Sequence, residues 1–406
     1  MKGLLLLLLG ISVVHQISAT TIWHHKENLP GTARHRTTGF ALGNKGYIGL
    51  GHYNSGPSGN VVFMDFWQYD PSTDSWTQVA DFGGGLRYHC ADFTYDGKAY
   101  VFGGRDDFSS LYNDLWMYDP EDNSWSAKAP LPSYERRASV GFTLGNYGVI
   151  GAGELQGAPT FYGKDFWFYS PLTDSWSPGP DLPGEERGSA AGFAMDNKGY
   201  VGTGQGLFGP LNDFYELKLF PVPAWTVRPV VGPLPRVESY GFGLNGKGYI
   251  LTGGDFLGEL NYGDMWEYDT TTFTWTQIMD FPGLARRYLD GFEIGTKAYV
   301  GMGTNGTNFK DLWEFDPSHA LSVGETSKSI VTISQNAAEI GFHFSSLPET
   351  GTCILLFNGG GKLVFSESVV DLDHTVNIES FQSGVYIYAI RKDDVFTAYG
   401  KFIAGI

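Results

Sequence analysis

The amino-acid sequence predicts an all-β protein made of six consecutive repeats, followed by a smaller β-rich domain. Three observations predict this fold class: the composition, a set of landmarks that recurs six times, and the loss of that period after residue 317. The 406 residues are 16% aromatic and 17% charged, and they include 56 Gly and 20 Pro. Abundant aromatic residues argue against disorder, and frequent Gly and Pro argue against long helices.

Charge and cysteine content narrow the range of partners and sites. The net charge is −17, so the polyanionic backbone of a nucleic acid is repelled and nucleic acid is not an expected partner. The two cysteines, Cys90 and Cys353, are too few for a disulfide framework or a zinc site. We expect two separate thiols, with a single long-range bridge as the alternative.

The first residues carry the pattern of a targeting segment. Lys2 precedes an apolar run over Leu4–Leu9, and a small residue, Ala19, stands at the end of the segment. This pattern is typical of a signal peptide, here residues 1–19. The alternative is a membrane anchor, but the run is short for a bilayer and no later apolar run reaches 18 residues. We therefore expect a secreted or cell-surface protein with no transmembrane segment after cleavage.

The repeat begins with a tryptophan, followed eleven residues later by arginine and seventeen residues after that by glycine. Successive tryptophans are 49–53 residues apart. The triplets are Trp23, Arg34 and Gly51; Trp76, Arg87 and Gly104; Trp125, Arg136 and Gly153; Trp176, Arg187 and Gly204; Trp225, Arg236 and Gly253; and Trp275, Arg286 and Gly303. A later acidic–aromatic pair completes each copy: Asp65 and Trp67, Asp114 and Trp116, Asp165 and Trp167, Asp213 and Tyr215, Asp264 and Trp266, and Asp311 and Trp313.

Each copy has the pattern of four short strands separated by turns such as Asn44–Gly46 or Asp96–Gly97. Four strands per unit at this period predict the blades of a β-propeller. The sixth copy ends at Pro317 without its tryptophan strand, whereas Trp23 precedes the first arginine. We therefore predict that residues 20–27 complete the sixth blade and close a propeller over residues 20–317.

The same residues carry a resemblance to a known family. The glycine pairs Gly103–Gly104 and Gly253–Gly254, the stretch Asp114–Asp119 and the later Trp125 resemble kelch repeats. The resemblance covers about three quarters of the chain and implies a six-bladed kelch β-propeller. Blade four departs from the pattern because Tyr215 stands where the other copies have tryptophan.

A second domain is predicted after a polar linker at residues 318–329. Residues 330–406 alternate apolar runs with turns, which predicts a β-sandwich of about seven strands. Its final segments, Gly384–Tyr388 and Tyr399–Ile403, resemble the C-terminal sorting domain of the type IX secretion system of Bacteroidota. That resemblance implies the secretion machinery as a partner. An accessory β-sandwich, such as a carbohydrate-binding module, is the alternative.

Candidate functional residues lie where the copies differ. The repeat arginines and aspartates recur in every copy, so we expect them to be structural, with each arginine bonded to carbonyls or a carboxylate of a neighbouring blade. Two residues after each arginine the copies read Arg36, His89, Ala138, Ser189, Glu238 and Tyr288. Arg137 adjoins this position, and Arg105 opens a variable loop after a repeat glycine. Loops on a rigid scaffold often carry function, and we expect both sets at one mouth of the central channel.

Two functions are compatible with these residues. The mixture of basic, acidic and aromatic groups predicts a binding face for a glycan or protein ligand, with the ligand-binding candidates Arg36, His89, Arg105, Arg137, Glu238 and Tyr288. The alternative is a carbohydrate-processing enzyme, by similarity to the six-bladed kelch sialic-acid mutarotases, with Glu238 and His89 as catalytic candidates. The copper site of galactose oxidase, also a kelch propeller, needs a histidine pair that does not accompany Cys90. We therefore expect no cofactor and no metal.

Overall fold

The structure is a computed structural model. It describes residues 23–54, 59–232, 234–255, 260–318, 331–335, 338–344, 347–348, 351–358, 363–392 and 395–404. It is all-β and divides into two compact units, one spanning Trp23–Asp316 and one containing Pro317–Ile406. The first unit is a six-bladed β-propeller. The signal peptide expected at residues 1–19 and nearly all of the linker expected at 318–329 lie outside the described residues.

Six four-stranded antiparallel sheets form the blades. The N-terminal strand is β1 (Trp23–Lys26), and blade 1 follows with β2 (Thr38–Leu42), β3 (Lys45–Gly49), β6 (Phe66–Asp70) and β7 (Ser75–Val79). Blade 2 contains β8 (Ala91–Tyr95), β9 (Lys98–Phe102), β10 (Leu115–Asp119) and β11 (Ser124–Lys128). Blade 3 contains β13 (Val140–Leu144), β14 (Tyr147–Gly151), β16 (Phe166–Ser170) and β17 (Ser175–Pro178).

The remaining blades repeat this arrangement. Blade 4 contains β18 (Ala191–Met195), β19 (Lys198–Gly202), β22 (Phe214–Lys218) and β23 (Ala224–Arg228). Blade 5 contains β24 (Tyr240–Leu244), β25 (Lys247–Leu251), β26 (Met265–Asp269) and β27 (Thr274–Ile278). Blade 6 contains β28 (Asp290–Ile294), β29 (Lys297–Gly301), β30 (Leu312–Phe315) and β1. Short strands also occur in the loops that connect these strands: β4 (His52–Asn54), β5 (Asn60–Val62), β12 (Arg136–Arg137), β15 (Glu154–Leu155), β20 (Gln205–Gly206) and β21 (Gly209–Pro210).

The inner hairpin of each blade has a two-residue turn. In blade 2 the turn is Asp96–Gly97, and both residues have positive φ, as this tight hairpin requires. In blade 1 the turn is one residue earlier than the sequence predicts, because Lys45 already pairs with Leu42. Gly43 takes the positive φ there, at 59°.

The N-terminal strand closes the propeller. Strand β1 pairs with β30 in antiparallel register, with Trp23 opposite Phe315. The Trp23 side chain is buried and contacts Phe281 of the preceding blade edge-on, with ring centroids 5.5 Å apart. Glu27 then reaches blade 1: its N–H donates to Asp74 at 2.9 Å, and its carbonyl accepts from the Trp76 indole at 2.8 Å. The two ends of the ring are thus joined without a covalent bond.

Backbone hydrogen bonds join each blade to the next around the whole ring. Each repeat glycine donates its N–H to the carbonyl of the following blade's repeat arginine. The bonds are Gly51 to Arg87, Gly104 to Arg136, Gly153 to Arg187, Gly204 to Arg236, Gly253 to Arg286 and Gly303 to Arg34, at 2.7–3.1 Å. The glycines have φ between 89° and 101°, a backbone conformation that strains any side-chain-bearing residue. The last bond joins blade 6 to blade 1.

The repeat arginines are all buried, and five of them are at most 1% exposed. Arg136 is typical: its guanidinium makes a bidentate pair with Asp165 at 2.8 Å and donates to the Ala152 carbonyl at 3.2 Å. The expectation that these partners belong to a neighbouring blade is wrong. The aspartate and the carbonyl flank the strands of the blade that the arginine precedes, because the arginine loop folds back over that blade's own inner strands.

The aspartate of each pair also fixes an aromatic side chain. In five blades it accepts the indole N–H of the tryptophan two residues later, as Asp165 does from Trp167 at 2.8 Å. In blade 4 the Tyr215 hydroxyl donates to Asp213 at the same distance, so tyrosine supplies the hydrogen bond in place of tryptophan. The outer-strand tryptophans of blades 1 to 5 donate instead to a carbonyl that precedes their own blade, as Trp125 does to that of Ala80, whereas the Trp23 indole has no partner among the described residues.

The C-terminal unit contains seven strands in two sheets. Strands β31 (Val331–Gln335), β32 (Glu339–Phe344) and β35 (Asp373–Asn377) form one sheet. Strands β33 (Thr352–Asn358), β34 (Leu363–Ser368), β36 (Gly384–Lys392) and β37 (Val395–Ala404) form the other. One apolar cluster takes residues from both sheets, including Phe342 and Ile354, so the sheets share a core.

Both cysteines, Cys90 and Cys353, are free. In the part of the chain that the structure describes, no helix is long and apolar enough to cross a membrane.

We expect loss of the closing strand to destabilise the propeller strongly. Deleting residues 20–29 removes the β1–β30 pairing and the contacts of Glu27 with blade 1, so the melting temperature should fall sharply in a thermal unfolding scan. The milder variant Trp23→Ala should cost about 3–5 kcal/mol, as large aromatic truncations in a core do. An unchanged melting curve for both variants would contradict the role of this strand.

Candidate functional site

The six variable residues form a ring at one end of the inner strands. Arg36, His89, Ala138, Ser189, Glu238 and Tyr288 all have positive φ, between 52° and 61°. From blade 2 to blade 6, the N–H of each ring residue donates to the carbonyl of the ring residue in the preceding blade. The first of these bonds runs from His89 to Arg36 at 3.1 Å, and the last runs from Tyr288 to Glu238 at 3.0 Å. Non-glycine residues adopt this conformation at a cost of order 1–3 kcal/mol each, which is typical of functional sites.

Arg36 is the centre of a cluster of side chains within this ring. Its Nε donates to His89 Nε2 at 3.0 Å, and its Nη1 lies 3.1 Å from His35 Nε2 and 3.2 Å from His52 Nε2. Its Nη2 donates to the Tyr288 hydroxyl, and the guanidinium lies over the Tyr288 ring at 3.9 Å. Four side chains from blades 1, 2 and 6 therefore hold one guanidinium.

The three histidines are neutral. Burial and the adjacent Arg36 charge lower the pKa of His35 to about 2 and that of His52 to about 3, and they lower the pKa of His89 well below its usual value. Because a guanidinium only donates hydrogen bonds, each Nε2 must accept and each Nδ1 must carry the proton. His35 Nδ1 donates that proton to Asn308 Oδ1 at 2.6 Å. The positive charge of Arg36 is thus bonded to neutral acceptors.

Glu238 lies on the other side of Tyr288. The two side chains are hydrogen-bonded, and Arg287 Nε lies 3.3 Å from Glu238 Oε2. Burial raises the pKa of Glu238, and it also raises the pKa of Tyr288 above its ordinary value. Glu238 and His89, the two catalytic candidates, are therefore linked through Tyr288 and Arg36.

The other two arginines predicted for the site differ in their partners. Arg137 pairs with Glu154, its Nε and Nη2 lying 2.9 and 2.6 Å from Oε2, so its charge is compensated. Arg105 donates to Ser109 at 2.5 Å. Among the residues that the structure describes, no carboxylate lies within ion-pair distance of Arg36 or Arg105. The mouth therefore holds two cations without a carboxylate partner.

A cavity of about 160 Å³ lies on the axis and is lined by the six ring residues and by the one to three residues that follow each of them. Three carboxyl groups lie along this axis, on Asp92, Asp290 and Glu293. Burial raises the pKa of Asp290 and of Glu293 to about 7, and it raises the pKa of Asp92 well above its usual value. The channel thus has a cationic mouth and an acidic interior.

The structure brings together Arg36, His89, Tyr288 and Glu238, and it places Arg137 and Arg105 at the edge of the same mouth. The sequence does not identify Asn308 as a site residue, because Asn308 lies at the end of a variable loop in blade 6. Its role as the acceptor of the His35 Nδ1 proton is visible only in the structure. Among the described residues, no group of three or more His, Cys, Asp or Glu side chains is arranged to hold a metal ion.

Comparison with known proteins agrees with this architecture. A family model described as "Kelch motif" matches residues 86–132, which is one repeat. No curated protein matches the chain. Among solved structures, one titled "Structure of YjhT" aligns with a TM-score of 0.61 at 18% sequence identity, covering 71% of this chain and 95% of that chain. At that identity the likeness shows the fold alone. The chain is thus a six-bladed β-propeller carrying a kelch motif.

The acidic interior of the channel makes the stability of the propeller depend on pH. The pKa of Glu293 is about 7 in the folded protein, against roughly 4.3 for an unperturbed glutamate. Between these values folding takes up a proton, so the free energy of unfolding falls as the pH rises through this window. Glu293→Gln keeps an acceptor for the Tyr240 hydroxyl and removes this loss.

We expect Glu293→Gln to be more stable than the wild type at pH 8, by about 3–4 kcal/mol, and nearly equally stable near pH 4. Thermal unfolding of both proteins from pH 4 to pH 8 measures the difference. A constant difference across that range would contradict the buried-carboxyl explanation.

Proposed function

We propose that this protein is an exported binding protein whose propeller mouth binds a carboxylate-bearing ligand, either an acidic glycan or a protein. The observation that carries the proposal is the environment of Arg36. Its guanidinium is held by three neutral imidazoles and the Tyr288 hydroxyl, and no carboxylate lies within ion-pair distance of it among the described residues. The nearest acidic influence is Glu238, whose pKa the Arg36 charge lowers. A fixed guanidinium without a direct ion-pair partner is suited to binding a carboxylate.

The contrast with the other arginines of the propeller supports this choice. The six repeat arginines are paired with aspartates, and Arg137 and Arg287 are paired with glutamates. Arg36 could form the same kind of pair if its role were structural. Its four acceptors fix the side chain and use four of the five guanidinium N–H groups, so the charge and one Nη2 N–H remain for a ligand carboxylate. A fixed donor of this kind is the preorganisation that a binding site needs.

Export and sorting belong to this proposal. Residues 1–19 have the composition of a signal peptide, which supports a site of action outside the cytoplasm. The resemblance of Gly384–Tyr388 and Tyr399–Ile403 to type IX sorting domains supports the secretion machinery as a partner of the C-terminal unit. The seven strands of that unit are compatible with such a domain.

Arg36→Gln should remove the binding of acidic sugars. In saturation-transfer NMR of the full chain, we expect transfer to N-acetylneuraminic or glucuronic acid but little to glucose, because glucose lacks the carboxylate. The variant should bind at least about tenfold more weakly, as loss of a charge-assisted hydrogen bond implies. Lys45→Gln is the charge-matched control, because Lys45 directly follows the hairpin turn at the end of the inner strands that is opposite to Arg36. Equal binding by the wild type and Arg36→Gln would contradict the proposal.

The alternative function is that of a carbohydrate-processing enzyme, and Glu238 is the observation that favours it. A carboxyl group of raised pKa, bonded to Tyr288 at a polar mouth, has the environment of a general acid or base. Arg36 is suited to bind a substrate carboxylate there, whereas Arg287 is paired with Glu238.

We expect binding without turnover. Two-dimensional exchange NMR on N-acetylneuraminic acid should show the same rate of anomer exchange with the wild type, with Glu238→Gln and without protein. If the wild type accelerates the exchange and Glu238→Gln abolishes the acceleration, the enzymatic alternative is correct and the binding function is wrong.

A further inference from the structure

Six short hairpin arms surround the mouth. Each arm follows a repeat glycine, and its base is bridged to the loop that carries the ring residue, as His52 is to His35 and Arg105 is to Tyr88. In blade 2 the arm closes through the Arg105–Leu111 bridge, and in blade 4 it is the hairpin of β20 and β21. The arms therefore project from the same face as Arg36.

Large apolar side chains are exposed on four successive arms. Phe108 in blade 2 is 85% exposed, and Leu207 and Phe208, the two tip residues of the blade 4 hairpin, are 70% and 90% exposed. Phe161 in blade 3 and Leu260 in blade 5 are also exposed. We call these five residues the apolar crown. Its members lie around one mouth, in blades that follow one another.

The fold does not require these residues. A two-residue hairpin tip normally holds Asn, Asp or Gly, because such residues suit the turn and are well solvated. The blade 6 arm follows this rule with Asn305, Gly306 and Thr307 at its tip. Large apolar side chains exposed on successive loops of one face, two of them adjacent at a single hairpin tip, are typical of an interaction surface. The crown is therefore a surface for binding rather than part of the core.

The charges at this face indicate what the crown binds. Arg36 at the axis and Arg105 at the base of the blade 2 arm lack a carboxylate partner among the described residues, whereas the whole chain carries a net charge of −17. A ligand that complements this face has an acidic group for the mouth and apolar groups for the arms. In such a complex the ion pair at the mouth is surrounded by apolar contacts that exclude water from it.

We propose that the crown and Arg36 together bind a protein segment in which an acidic side chain is flanked by large apolar side chains. This inference rests on the proposed function, because it places the ligand carboxylate at Arg36. A sugar ring presents hydroxyl groups along its edges, and Leu207 and Leu260 offer them no hydrogen bond. An anionic membrane surface is repelled by the net charge and by Asp106 and Asp107, which adjoin Phe108.

A randomised 12-residue peptide library displayed on phage, selected on the full chain, tests the inference. We expect enriched peptides to contain Asp or Glu within three residues of Leu, Phe or Trp. Their affinity should fall at least about tenfold in the double variant Leu207→Ser, Phe208→Ser, because two buried apolar contacts are lost. Phe220→Ser is the matched control, since Phe220 is 75% exposed but lies in the outer turn between β22 and β23 of the same blade.

The outcomes separate the two proposals. If the peptides depend on Arg36 but not on Leu207 and Phe208, the inference is wrong and the proposed function stands. If they depend on neither, the inference is wrong, and the binding of acidic sugars by the wild type and Arg36→Gln then decides the proposed function. If no peptide is enriched, the apolar crown does not bind a protein segment. The same conclusion holds if peptide binding is absent and the protein instead cosediments with phosphatidylserine vesicles in a way that the double variant abolishes.

Discussion

The fold of the propeller depends on the buried arginine that recurs once in each of the six repeats. Its guanidinium binds an aspartate and, in most blades, a carbonyl of the blade that it precedes, and its own carbonyl accepts the glycine N–H of the blade before it. One side chain therefore sets the internal geometry of a blade while its backbone sets the spacing between blades. A buried charge is tolerated only because its partners are complete, so loss of one aspartate would leave an uncompensated cation in the core.

This constraint explains why so much of the fold was readable from the sequence. The arginine, the glycine and the aspartate each need a fixed place in a blade, so they recur at fixed spacing and reveal six blades. The register also indicated the closing strand, because Trp23 stood alone before Arg34. The direction of the arginine contacts was not readable, since spacing does not tell whether a loop folds over its own blade or over its neighbour.

The candidate site was only partly readable for a related reason. Variation among the copies identified Arg36, His89, Glu238 and Tyr288, because a site in a repeat protein lies where the repeats differ. The convergence of His35, His52 and His89 on one guanidinium depends on the backbone pairing of His35 with His52 and on the place of His89 in the next blade. Such a meeting of separate blades has no signature in linear spacing.

The mouth of the channel carries a basic group and its interior carries acidic groups, although the six blades around it are similar in backbone. Arg36 stands at one end, and Asp290 and Glu293 follow two and five residues after Tyr288 along β28, which is up to roughly 16 Å of extended strand. Burial favours the protonated, uncharged form of these carboxyl groups, and Arg36 is the one arginine or lysine among the residues that line the cavity. An anion that moved inward would therefore leave its positive partner behind, so a carboxylate is held best at the entrance.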